Sequence, residues 1–110
     1  MSAILVHHRV KDYPTWKRAF DESEYPRREN GIKGGCISSS ISDPNELFVH
    51  LEVEDPERAR KFIESPSMRT AMREAGVIGT PEVYYLTTVT KVPEPTPMPV
   101  GSTFADIEDI

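Results

Sequence analysis

The sequence has one cysteine, no excess of positive charge and no long apolar run, and each shortage narrows what it can be. Cys36 alone cannot form an intrachain disulfide or build a zinc site, so a reducing, cytoplasmic compartment is expected. Lys and Arg total 13 against 18 Asp and Glu, for a net charge of -5. Nucleic-acid binding calls for a basic face, so nucleic acid is not an expected partner. No apolar stretch approaches the roughly 20 residues that cross a bilayer, and the N-terminus lacks the basic start and apolar segment of a signal peptide. A soluble protein without membrane association is expected. Phosphate-loop and nucleophile-elbow patterns are also missing, which leaves nucleotide-dependent and serine-hydrolase chemistry without support. At 110 residues the chain is long enough for one core and too short for two. Small molecules and protein partners remain.

What is present alternates in an orderly way. Ala3, Ile4, Leu5, Val6 and Val10 predict a strand over about residues 3–10. Asp12 is placed to cap a helix in which Tyr13, Trp16 and Phe20 share one face, predicted to run to about Asn30 and to close at Gly31. A strand over 33–42, a turn at Asp43-Pro44-Asn45 and a strand with Leu47, Val49, Leu51 and Val53 on one side complete a hairpin. Asp55-Pro56 and Ser65-Pro66 each pair a capping residue with a proline at the first helical position. The second of these helices carries Met68, Ala71, Met72 and Ala75 on one stripe and stops at Gly76, and Pro81–Val92 reads as the last strand. The order is βαββαβ. It predicts an α+β, ferredoxin-like fold: a four-stranded antiparallel sheet with helices on one face. Residues 1–92 form this domain. Residues 93–110 are a proline-rich acidic arm whose Phe104, Ile107 and Ile110 recur every third residue, either as a docking peg or as a frayed tail.

The doublet His7-His8 invites thoughts of metal ligation or proton transfer. On a strand, however, neighbours point to opposite faces. His8 belongs with Ile4, Val6 and Val10 on the apolar side that covers the helices, close to Trp16. His7 belongs with Leu5 and Arg9 on the other side. Aligning the first and third strands as parallel neighbours sets Leu5 beside Phe48, His7 beside His50 and Arg9 beside Glu52. A twofold axis through such histidine pairs would be a route to a metal, but no cysteine or carboxylate is spaced to complete a motif, and no metal site is assigned.

The chain resembles the small dimeric α+β barrel proteins of the antibiotic biosynthesis monooxygenase-like superfamily, in a branch labelled monooxygenase-like or cyclase-like. The likeness spans about Ile4 to Leu86 and rests on HRVKDY with Trp16, on Asp43-Pro44-Asn45-Glu46 and on SPSMRTAMREAGVIGTPEV. It implies a homodimer in which two sheets close into a barrel, with a ligand pocket between each sheet and its helices. Relatives oxygenate polyketide phenols without a cofactor, isomerise lactones, degrade haem or have no known reaction, so architecture does not select a chemistry. The haem-degrading relatives use a histidine on the second helical segment, and residues 56–75 contain none. No cofactor is expected.

The expected site is His8 as a general base in a greasy cavity with Trp16, Phe20, Met72 and Tyr85 fixing an aromatic or polyketide-like ligand. The bland alternative for His8 is a core histidine bonded to a carbonyl or an acid. Tyr84 and Tyr85 face opposite sides, Arg69 and Arg73 read as solvated helix charges, and Cys36 as a buried inert thiol. Two functions follow: a cofactor-independent monooxygenase or cyclase, or a homodimer that binds a ligand or serves as structure without turnover.

Overall fold

The computed structural model describes residues 1–96. Its elements are β1 (Ser2–Val10), α1 (Tyr13–Glu22), α2 (Glu24–Glu29), β2 (Ile32–Ser40), β3 (Asp43–Val53), α3 (Pro56–Ile63), α4 (Pro66–Glu74) and β4 (Val77–Thr87). The strands form one antiparallel sheet in the order β2-β3-β1-β4, the ferredoxin-like α+β arrangement that the sequence predicts. Period-two alternation sorts the two central strands by face. Ile4, Val6, His8 and Val10 of β1 and Leu47, Val49, Leu51 and Val53 of β3 are all buried beneath the helices with Trp16, Ala59 and Ile63. Burying each aliphatic side chain is worth about 1.5–3 kcal/mol, and this layer holds the helices to the sheet. Among the described residues no helix is long and apolar enough to cross a membrane.

The caps work as their residue types require. Asp12 accepts from the Thr15 amide at 3.1 Å, Asp55 from the Glu57 amide at 3.0 Å and Ser65 from the Met68 amide at 3.3 Å. Each satisfies an amide that the first helical turn leaves free. Gly31 and Gly76 follow helices with positive φ, as helix ends favour.

Several boundaries differ from the sequence expectation, each for a local reason. The first helix does not run unbroken to Asn30: it stops at Ser23 and restarts as α2. Pro26 has no amide to donate to the Glu22 carbonyl, and its ring would clash there. The hairpin turn is Ile41-Ser42 rather than Asp43-Pro44-Asn45, because Asp43 already pairs with Ser40. Pro44 is tolerated in β3 because it lies beyond the last residue paired with β1, where no ladder amide is needed. β4 begins at Val77 and ends at Thr87, earlier at both ends than Pro81–Val92. The peg of Phe104, Ile107 and Ile110 lies outside the described residues.

The parallel alignment of the first and third strands is wrong. β1 and β3 run antiparallel, pairing His7 with Phe48, Leu5 with His50 and Arg9 with Glu46. The helical crossover returns β2 parallel to β1, and the tight hairpin then reverses β3 against both. His7 and His50 therefore do not form a cross-strand pair. Cys36 is also misjudged, being exposed on edge strand β2 directly across from His50.

Candidate functional site

Between the sheet and the helices lies a cavity of about 100 Å³. His8, Trp16, Phe20 and Met72 all line it, as their faces require. Trp16 presents its edge to His8, with ring centroids 5.5 Å apart and planes at 75°, and stacks on Phe20 at 5.0 Å. Trp16 is brought there by α1, whose start is tied to β3 by the Tyr13 amide donating to Asn45 Oδ1 at 2.9 Å. On the other flank of β1 the ladder to β4 slips between His7 and Arg9, whose partners are Glu82 and Ile78. Gly79, Thr80 and Pro81 thus bulge out opposite His8, and bulges of this kind recur beside sites.

His8 is 6% exposed, and its Nδ1 is buried with no hydrogen-bond partner among the described residues. No acid and no carbonyl of another described residue bonds that nitrogen, although the backbone of His8 itself bears on the ring and partly offsets its desolvation. Burial holds its pKa below the ordinary 6.5, so the ring is neutral near pH 7. Met72 and Ile63 line both this cavity and an adjoining groove of about 720 Å³ between α4 and β4. Arg69 and Arg73, both exposed, lie on that groove. A methionine wall is deformable.

Tyr85 faces the helix side of the sheet, opposite Ile4, but does not line the cavity. Its hydroxyl donates to Glu64 Oε2 at 3.0 Å, and burial, with that bond second, pushes its pKa up to about 12. Tyr84 is on the open face, 46% exposed. Arg27 is the charged lining residue that sequence reasoning missed. It follows Pro26 in a charged run that looks like any solvated helix face, on the short helix that begins after the break at Ser23.

On the open face, His7 sits between two carboxylates, Nδ1 at 2.9 Å from Glu82 and Nε2 at 3.0 Å from Glu46, with its ring stacked on Phe48 at 4.4 Å. The bond to Glu46, then the bond to Glu82, raises its pKa above 6.5. The adjacent imidazoles are therefore expected to titrate in opposite directions in ¹⁵N-resolved NMR, His7 above and His8 below the ordinary value. Coincident titration would contradict the two environments. The linkage has opposite signs as well. His7 contributes stability that is complete below pH 6.5 and lost as pH rises through its raised pKa. His8 binds fewer protons folded than unfolded, so stability is lost as pH falls from 6.5 through its lowered pKa. His7→Gln should remove the alkaline loss alone. Among the described residues no group of three or more His, Cys, Asp and Glu is placed to hold a metal ion.

No protein-family model matches the sequence, and no curated protein matches it significantly. Solved structures do match. SnoaB, a cofactor-independent oxygenase from Streptomyces nogalater, superposes with a TM-score of 0.63 at 17% identity over 84% of this chain and 97% of that one. A protein provisionally designated an antibiotic biosynthesis monooxygenase from Bordetella bronchiseptica gives 0.65 at 13% identity, covering 81% and 97%. Another so designated, from Nitrosomonas europaea, gives 0.58 at 19% identity, covering 82% and 100%. The chain shares the fold of these structures. At these identities the likeness speaks for the fold, and the chemistry must be argued from the cavity.

Proposed function

We propose that this chain binds an aromatic, polyketide-like small molecule between sheet and helices and oxygenates it without a cofactor, with the His8 imidazole as general base. The observation that carries the reading is a neutral, buried imidazole, one nitrogen of which has no side-chain partner, among the residues lining an apolar cavity walled by Trp16 and Phe20. Leaving a polar atom buried and unbonded costs about 1–3 kcal/mol, and a catalytic role is one reason a fold retains such a group. In the reaction, His8 takes the proton of a phenol. The electron-rich phenolate then adds dioxygen at a ring carbon that bears hydrogen, and the imidazolium returns its proton to the peroxide anion formed. The hydroperoxide loses water by breaking its O–O bond and the C–H bond of that same carbon, which becomes the second carbonyl of a quinone. One phenol and one O₂ become one quinone and one H₂O, so no external reductant is required.

Size restricts the ligand. The cavity falls below the roughly 300–1,000 Å³ of drug-sized sites, while an apolar cavity of about 150 Å³ takes benzene. At about 100 Å³ the cavity is smaller than that, so even a single substituted ring requires Met72 to move aside toward the groove, and a fused polyketide requires more. The small volume is also what favours the second reading, a binding or structural homodimer without turnover. Oxygen consumption with phenolic substrates separates the two: stoichiometric O₂ uptake and quinone formation support the enzyme, and ligand binding without either supports the alternative.

The proposed assembly is a homodimer through the open sheet face, in a cytoplasmic setting. Leu5 and Phe48 are half-buried there, and Ile78, Tyr84 and Leu86 are 46%, 46% and 41% exposed, a spread of apolar surface that a second sheet would cover. Sedimentation velocity should report a dimer at micromolar concentration. A stable monomer would rule out the barrel.

A further inference from the structure

We propose that Arg27 is an anion anchor of the His8 cavity, so that the ligand is an acidic aromatic: a ring whose short side chain ends in a carboxylate or an equivalent anion. This rests on reading the cavity as a ligand site and narrows what the site takes.

Three polar residues line the otherwise apolar space: His8, Ser23 and Arg27. Ser23 Oγ is committed to the Ala19 carbonyl at 3.0 Å. Arg27 donates from Nη1 to the Phe20 carbonyl at 2.5 Å and lays its guanidinium 3.7 Å from the centroid of the Phe20 ring. A guanidinium has five N–H donors in a fixed fork, so most of its hydrogen-bonding capacity is uncommitted. Its charge is felt by Glu24 and Asp21 at a distance but is not held in a close pair. No ion pair among the described residues engages Arg27. The nearest acids in sequence have other partners: Asp21 takes Lys17 at 2.7 Å and Glu24 takes Arg28 at 2.7 Å. Arg27 is half-buried, and desolvation lowers its pKa. A partly desolvated cation without a contacting counterion favours an anion brought in by a ligand.

Position makes the ligand specific. His8, Trp16, Phe20 and Arg27 succeed one another through edge-on, stacked and cation-π contacts along one wall. The base stands at one end and the cation at the other. A ring lying along Trp16 and Phe20, with its anionic tail on Arg27, presents its far substituent to His8.

The test uses the full chain and its single tryptophan, which lines the cavity and reports occupancy by fluorescence. The probes are 4-hydroxyphenylacetate and its uncharged amide, 4-hydroxyphenylacetamide, at pH 7. A hydrogen bond to a charged group corresponds to about a tenfold to hundredfold preference for the acid in the wild type. Arg27→Met should lose that preference and still bind the amide, and Arg27→Lys should keep part of it. Should Arg27→Met fail to fold, wild-type salt dependence decides, because only the acid should weaken as salt rises. Equal affinity of the wild type for both probes, a preference that survives Arg27→Met, or an acid affinity indifferent to salt overturns the anchor and leaves the cavity reading standing. If neither probe perturbs Trp16 at saturating concentration, the cavity reading fails and the anchor with it.

Discussion

His8→Ala is expected to lower turnover of a phenolic substrate by about 10²- to 10⁴-fold, the contribution of a positioned general base, while the fold and the oligomeric state persist. The companion variant His8→Leu separates a site from a core residue. If His8 were ordinary core, exchanging it would remove a satisfied hydrogen bond and destabilise the chain. Because Nδ1 is buried without a partner, a leucine of similar volume should instead stabilise it by ~1–3 kcal/mol and still abolish turnover. Denaturant unfolding and oxygen uptake on the same two preparations check both halves. Turnover that survives in His8→Ala removes the imidazole from the mechanism, and lost stability in His8→Leu returns it to the core.

Gly35→Ala is expected to produce the largest loss of stability in the sheet, about 3 kcal/mol or more. A methyl group at position 35 would sit 1.8 Å from the His50 carbonyl oxygen and 2.8 Å from both the His50 carbonyl carbon and the Leu51 Cα. All three are backbone atoms, so no rotamer relieves the contact, and β2 must lift away from β3. The crowding falls where the β2–β3 ladder shifts register between Ile32 and Gly35. Gly34→Ala is the control: nothing lies within 4 Å of its added methyl, and a change within about 1 kcal/mol is expected. Denaturation midpoints of the two variants should therefore diverge widely. Equal midpoints would refute the close approach of the strands.

The sorting of side chains between the two faces was legible because it depends only on strand periodicity. Ile4, Val6, His8 and Val10 had to share a face, and a helix carrying Tyr13, Trp16 and Phe20 had to pack on the apolar one. The meeting of His8 with Trp16 follows from those two rules. The strand pairing was not legible from composition, since an alignment of like residues carries no information about chain direction. Direction comes from topology, and it placed His7 against Phe48 rather than His50. Tyr85 satisfied the face rule and still missed the cavity, because its hydroxyl reaches out to Glu64. Arg27 was hidden for the opposite reason. Its role depends on a helix break, a stacked phenylalanine and two neighbouring acids paired elsewhere, none of which has a signature in a run of charged residues. Cys36 turned out exposed because β2 is an edge strand, a fact that belongs to sheet order and not to the residue's own chemistry.

The claim on which all of this depends is that the His8 imidazole meets a bound aromatic molecule inside the cavity. Long-range ¹H–¹⁵N correlation spectra of the three histidines, recorded at pH 7 with and without saturating 4-hydroxyphenylacetamide, test it directly. The ring-nitrogen shifts of His8 should move on binding, while those of His7, held by its two carboxylates on the far side of the sheet, and of exposed His50 should stay in place. Binding that leaves the His8 nitrogens unmoved would contradict the account.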